Sequence, residues 1–67
     1  MELRHKPYMR LEGFKRENGI TNLMIANALG ITETSVVRKN AGKSDYYLSE
    51  VNTLKETLDI PVQIFFD

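Results

Sequence analysis

The stretch NLMIANALGITETSVVRKNA, at residues 22–41, decides the fold that the sequence predicts. Ile25 and Leu29 stand four residues apart just before a glycine, which is the spacing of one face of a helix. Gly30 can adopt the left-handed conformation that ends a helix, and Thr32 is a residue type that caps the next helix at its N-terminus. The pattern therefore predicts two short helices joined by only three residues.

Small and apolar side chains stand where two closely joined helices need them. Only a small side chain fits where two closely joined helices approach each other most closely. Ala26 has such a side chain and is predicted to lie there. Ile31 and Val36 then fill the wedge together with the apolar residues of the first helix. This arrangement is typical of a helix-turn-helix, and a generic helical hairpin is the alternative.

Helical patterns on both sides of this pair predict an all-α chain. A first helix runs from Pro7 to about Gly19, and the second helix of the central pair ends near Asn40. A further helix is marked by four apolar residues at helical spacing, Leu48, Val51, Leu54 and Leu58. Residues 62–66 form a fifth helical turn or, alternatively, a strand. We predict a compact four- to five-helix bundle in residues 7–67, preceded by a flexible arm at residues 1–6.

The composition excludes several classes of function. The chain has 67 residues, no cysteine and a single histidine, and its carboxylates are scattered without a catalytic pocket. No apolar run is long enough to span a membrane, and residues 1–10 lack the apolar stretch of a secretory signal. We therefore expect a cytoplasmic protein that is not an enzyme and has no metal, cofactor, membrane or small-molecule partner.

The charges are distributed unevenly although they sum to zero. Nine Lys and Arg balance nine Asp and Glu over the whole chain. Residues 1–43 hold eight cations and four anions, a net charge of +4, whereas residues 44–67 hold one cation and five anions, a net charge of −4. One end of the domain can therefore face a polyanion such as DNA. A chance split in a short chain is the alternative.

The helix after Thr32 carries the predicted base-reading residues. At about 100° per residue, Thr34 and Arg38 point away from the inward-facing Val36. Arginine binds guanine in two hydrogen bonds, glutamate accepts from cytosine, and Thr or Val methyl groups pack on thymine. The predicted set is Glu33, Thr34, Val37 and Arg38. The alternatives are an interaction of Glu33 with the helix dipole and a purely solvated role for Arg38.

Phosphate contacts require donors or positive charge but carry no sequence information. The start of a helix offers free backbone N–H groups, which places Asn22 in this set. Lys43 follows a glycine and can approach the DNA backbone closely. The predicted phosphate-binding residues are Asn22, Ser35, Lys39 and Lys43.

Several segments resemble the Cro/cI, or xenobiotic-response-element, family of helix-turn-helix regulators, especially short phage-encoded members. The resemblance spans residues 11–66 and is carried by NGIT (18–21), IANALGIT (25–32), RK (38–39), GKSDYYLSEV (42–51) and LDIPVQIFF (58–66). It implies a lambda-repressor-like bundle whose recognition helix begins near Glu33 and which binds a pseudo-palindromic operator as a dimer. We expect the apolar C-terminal residues Ile64, Phe65 and Phe66 to form the homodimer interface.

Two functions from different classes follow from these patterns. The first is a sequence-specific DNA-binding repressor that occupies a double-stranded DNA operator. The second is a module that keeps the same fold but binds another regulator or a polymerase subunit. Zero net charge and the adjacent apolar residues Leu23 and Met24 motivate the second function.

Overall fold

Four α-helices and one short 3₁₀ helix build the chain in a computed structural model that describes residues 8–66. The elements are α1 (Met9–Asn18), α2 (Asn22–Leu29), α3 (Glu33–Asn40), α4 (Leu48–Leu58) and the 3₁₀ helix (Val62–Phe65). No strand occurs in this part of the chain, and the predicted all-α fold is confirmed. The predicted arm at residues 1–6 lies outside the described residues, as do Pro7 and Asp67.

The ends of the helices are set by residues that the sequence marks. The hydroxyl oxygens of Thr21 and Thr32 each accept a backbone N–H from the first turn of the following helix, both at 3.2 Å. Gly19 and Gly30 end α1 and α2 in the left-handed conformation, at φ of 66° and 69°. Asp59 ends α4 in the same region, at φ of 59°. The predicted caps and stops of the central pair are confirmed.

The hydrophobic core forms where α2 packs against both α3 and α4. Its buried apolar residues are Leu11, Ile20, Ile25, Ala26, Val36, Val51, Leu54, Ile60, Ile64 and Phe65. Leu29 and Ile31 are partly buried against it. All the residues predicted to fill the space between α2 and α3 are therefore part of the core or packed on it.

The C-terminal residues correct the predicted dimer interface. Val62–Phe65 packs against α1 and α4, so the helical turn is the alternative that forms, and not the strand. Ile64 and Phe65 are buried inside the chain, and their prediction as interface residues is wrong, whereas Phe66 is 65% exposed. Phe66 follows the last residue of the 3₁₀ helix, where the backbone leaves helical geometry at φ of −124°.

The beginning of α1 also differs from the prediction. Tyr8, predicted inside the helix, precedes it, and its backbone N–H donates to the carbonyl oxygen of Asn40 at 3.2 Å. Leu48 opens α4 as predicted but is exposed, so the buried face of that helix begins at Val51. The start of the described chain is therefore tied to the end of α3.

Three aromatic rings bring the two ends of the described chain together. The ring centroids of Tyr8 and Tyr46 are 5.5 Å apart, those of Tyr8 and Phe65 are 5.6 Å apart, and those of Tyr46 and Phe65 are 5.1 Å apart. The planes are tilted by 58° to 68°, which favours edge-to-face attraction. We call Tyr8, Tyr46 and Phe65 the aromatic triangle.

The same substitution at two glycines is expected to have opposite effects on stability. A methyl group at either Gly13 or Gly30 meets no atom within 4 Å. Gly30→Ala should lower the free energy of unfolding by about 1–2 kcal/mol, because alanine is strained at positive φ. Gly13→Ala, inside α1, should raise it by about 0.5–1 kcal/mol. Urea denaturation measures both, and equal effects would contradict the conformational explanation.

Candidate nucleic-acid interface

The face of α3 opposite the core is exposed along its length. Val36 is fully buried, whereas Thr34 and Arg38, two residues to either side, are exposed. Val37 is 48% exposed, and Glu33 is exposed in the first turn. All four residues predicted to read bases are thus accessible on one short helix. Within residues 8–66 the Arg38 guanidinium forms no ion pair, so it is available to a ligand.

The predicted phosphate-binding residues divide into accessible and occupied side chains. Lys43 is exposed in the loop after α3. Ser35 is half-buried, and its hydroxyl lies 2.9 Å from that of Thr32 at the start of α3. Asn22 is half-buried as the first residue of α2. These three residues thus come from α2, from α3 and from the loop that follows it. The fourth predicted residue, Lys39, is buried.

Lys39 is a structural residue, which corrects its predicted role. The residue is buried, with an exposed fraction of 7%, and its ammonium donates to the carbonyl oxygen of Asp45 at 2.6 Å. The same group lies 3.1 Å from the Glu50 carboxylate and above the rings of Tyr46 and Tyr47, at 5.5 and 4.9 Å. These contacts fasten the end of α3 to the start of α4, so the ammonium is not available to phosphate.

Hydrogen bonds between four polar side chains connect α1, α2, α3 and the loop before α4. The Lys15 ammonium donates to Asn22 Oδ1, and Asn40 Nδ2 donates to the same oxygen at 3.0 Å. The Tyr46 hydroxyl donates to Asn40 Oδ1. We call Lys15, Asn22, Asn40 and Tyr46 the polar network. No side-chain nitrogen or oxygen atom is buried without a partner in the described part of the chain.

Sequence reasoning missed the polar network, although part of its signal was present. Asn40 follows Val36 by four residues and so lies on the inward face of α3, where a polar side chain needs a partner. Lys15 belongs to the apolar spacing of α1 and is buried to nearly the same degree as Asn40. Polar residues at inward helical positions indicate that buried hydrogen bonds exist. The sequence alone does not show which side chains form them.

An open groove runs beside the start of α2. It is lined by Glu12 from α1, Asn22 from α2, and Val37, Asn40 and Ala41 from α3 and its end. Glu12 is neutralised in part by Lys15, whose ammonium lies 3.3 Å from its carboxylate. The groove thus joins the first residue of α2 to the exposed flank of α3 at Val37.

No family model, curated protein or solved structure matches the chain. In residues 8–66, no helix is long and apolar enough to cross a membrane. The same residues contain no group of three or more His, Cys, Asp and Glu that could hold a metal ion. What the chain binds is therefore inferred from its own geometry and charges.

Alkaline pH is expected to weaken the fold through Tyr46. Burial raises the pKa of its phenol above the ordinary value of 10.0, and nearby Tyr8, Glu50 and Glu12 raise it further. The unfolded chain therefore loses this proton first, so the free energy of unfolding is unaffected by it below pH 10 and falls as the pH rises further. Chemical denaturation from pH 8 to 11 measures this decline.

Two tyrosine variants separate this effect from general alkaline damage. Tyr46→Phe should make the decline above pH 10 shallower, and should also cost about 1 kcal/mol at neutral pH because its hydrogen bond to Asn40 is lost. Tyr47→Phe removes an exposed phenol and is the matched control. An unchanged decline in Tyr46→Phe would show that another group is responsible.

Proposed function

We propose that α2 and α3 act as a helix-turn-helix of the Cro/cI, lambda-repressor-like type, and that the protein is a sequence-specific DNA-binding repressor. One observation carries the proposal: Thr34 and Arg38 are exposed on the side of α3 opposite the fully buried Val36. A helix that is firmly packed on one side and open on the other can enter the major groove of DNA.

The exposed side chains of α3 have the chemistry that base edges require. The Arg38 guanidinium can donate two hydrogen bonds to guanine O6 and N7. Thr34 and Val37 are short and carry methyl groups, so they allow the helix to approach closely and can pack on a thymine methyl. Glu33 can accept from cytosine N4, and it also interacts favourably with the N-terminus of α3. Together they offer different contacts to different bases.

Contacts to the DNA backbone are assigned to three residues in this proposal. Asn22 opens α2, where backbone N–H groups are free to face a phosphate. Ser35 lies in the first turn of α3, and Lys43 is an exposed cation beyond its end. Residues 1–43, which include both helices, carry a net charge of +4, and this charge favours contact with a polyanion.

A homodimer is part of the proposal and rests on Phe66. This side chain is 65% exposed, whereas its apolar neighbours Ile64 and Phe65 are buried. Covering this large aromatic side chain with a second copy of the chain removes apolar surface from water, which favours association. Two copies related by a twofold axis would then present two α3 helices to two half-sites.

Binding to another protein is the second candidate function. Leu23 is 54% exposed and Met24 is 40% exposed in the first turn of α2. Adjacent exposed apolar side chains of this size favour a protein partner, such as another regulator or a polymerase subunit. The zero net charge of the whole chain is also more usual for a protein-binding module.

Selection of bound sequences from a random duplex pool tests the proposed function. We expect enrichment of inverted half-sites whose centres are about one helical turn of DNA apart, because a twofold dimer places its α3 helices at that spacing. Binding of the selected duplex should weaken steeply as salt is raised, with a linear dependence of log K on log salt. No enrichment together with salt-insensitive capture of a protein partner would favour the second function.

Two substitutions on the selected duplex are expected to differ in kind. Arg38→Ala should cost roughly 1–3 kcal/mol and relax the preference at one base pair, because a base contact is lost. Lys43→Ala should weaken binding to all sequences alike and lower the salt dependence, because a phosphate contact is lost. Titrations of selected and random duplexes measure both. Equal losses on the two duplexes for Arg38→Ala would refute its base-reading role.

A further inference from the structure

The polar network has a direction that is dictated by one lysine. A lysine ammonium only donates hydrogen bonds, so the Asn22 atom that faces Lys15 must be the carboxamide oxygen. Asn40 must then offer its amide nitrogen to that oxygen, and its own oxygen is left to accept from Tyr46. Rotating the Asn22 carboxamide by half a turn would place donors against donors, and rotating that of Asn40 would place its oxygen against the Asn22 oxygen. Lys15 therefore determines the orientation of every other member.

This direction leaves the Asn22 amide nitrogen as an outward donor. The Asn22 oxygen accepts from both Lys15 and Asn40, whereas Asn22 Nδ2 has no partner in residues 8–66. Asn22 is the first residue of α2, and the cap from Thr21 satisfies only the backbone N–H of Met24 in this turn. The remaining backbone donors of the first turn thus lie next to two unused side-chain N–H groups.

We propose that Lys15 is a positioning residue for DNA binding: it holds the Asn22 carboxamide so that its NH₂ group donates to a phosphate of the DNA backbone. The inference rests on the proposed function and adds a residue that does not touch DNA. Lys15 is buried, and its charge is balanced by Glu12 at 3.3 Å, so it contributes orientation rather than a direct attraction for phosphate.

An isosteric substitution tests the outward donor without removing the network. Asn22→Asp keeps an oxygen for Lys15 and Asn40 but replaces the NH₂ group by a second oxygen. Binding of the selected duplex should weaken by about tenfold or more, because the donor is lost and a charge faces phosphate. Asn27→Asp, an exposed position on the same helix, adds the same charge outside the network and is the matched control. Equal losses in the two variants would overturn the inference.

A double-mutant cycle tests the role of Lys15. Lys15→Met and Asn22→Ala should each weaken binding by about tenfold, and together by little more than either alone, because both remove the same contact. Arg16→Met removes the same charge from an exposed neighbour and should have a smaller effect. Additive losses would overturn the inference, because Lys15 would then act on binding independently of Asn22. If Lys15→Met does not fold, Lys15→Gln replaces it in the cycle, because a carboxamide can also accept and so no longer fixes the orientation of Asn22.

Exchange of the side-chain amide protons tests the orientation in the absence of DNA. In the free protein the Asn40 NH₂ group should exchange its protons with water more slowly than that of Asn22, because Asn40 Nδ2 donates a hydrogen bond inside the chain and Asn22 Nδ2 does not. The reverse order would overturn the inference even if the protein binds DNA. Failure of the wild-type chain to bind any duplex would overturn the proposed function and the DNA role of Lys15, whatever the exchange rates are.

Discussion

The three residues between α2 and α3 impose the constraint on which the rest of the structure depends. Gly30 turns the chain at positive φ, and the N–H of Ile31 donates back to the Ala26 carbonyl oxygen at 3.0 Å. Thr32 caps α3 immediately afterwards. Because this connection is only three residues long, α2 and α3 must pack on each other. One side of α3 is therefore buried at Val36, and the other side is directed to solvent.

The features that the sequence predicts well are those with local causes. Caps, glycine stops and helical spacing act within one turn of the chain, and the boundaries of α2 and α3 follow from them. The exposure of Thr34 and Arg38 is equally accessible, because it needs only the inward direction of Val36 and the geometry of a helix. The outward side of the candidate site therefore follows from the sequence alone.

The predictions that were wrong concern residues whose environment depends on tertiary contacts. Helix geometry puts Lys39 and Asn40 within about 60° of Val36, on the inward side of α3. Lysine is nevertheless exposed in most proteins, and for this reason Lys39 was predicted to bind phosphate. Only the approach of α4 and its preceding loop supplies the carbonyl, carboxylate and rings that hold the ammonium. At the C-terminus, four residues of 3₁₀ helix are too few for a periodic pattern to separate Phe65 from Phe66.

The aromatic triangle makes the two ends of the described chain interdependent. Tyr8 precedes the first helix and Phe65 closes the last one, and each ring rests on the other as well as on Tyr46. Trimming the chain past either ring would remove one side of the same cluster, so both truncations would damage the same region. The described chain thus begins and ends beside one cluster, so a change at either ring is transmitted directly to the other.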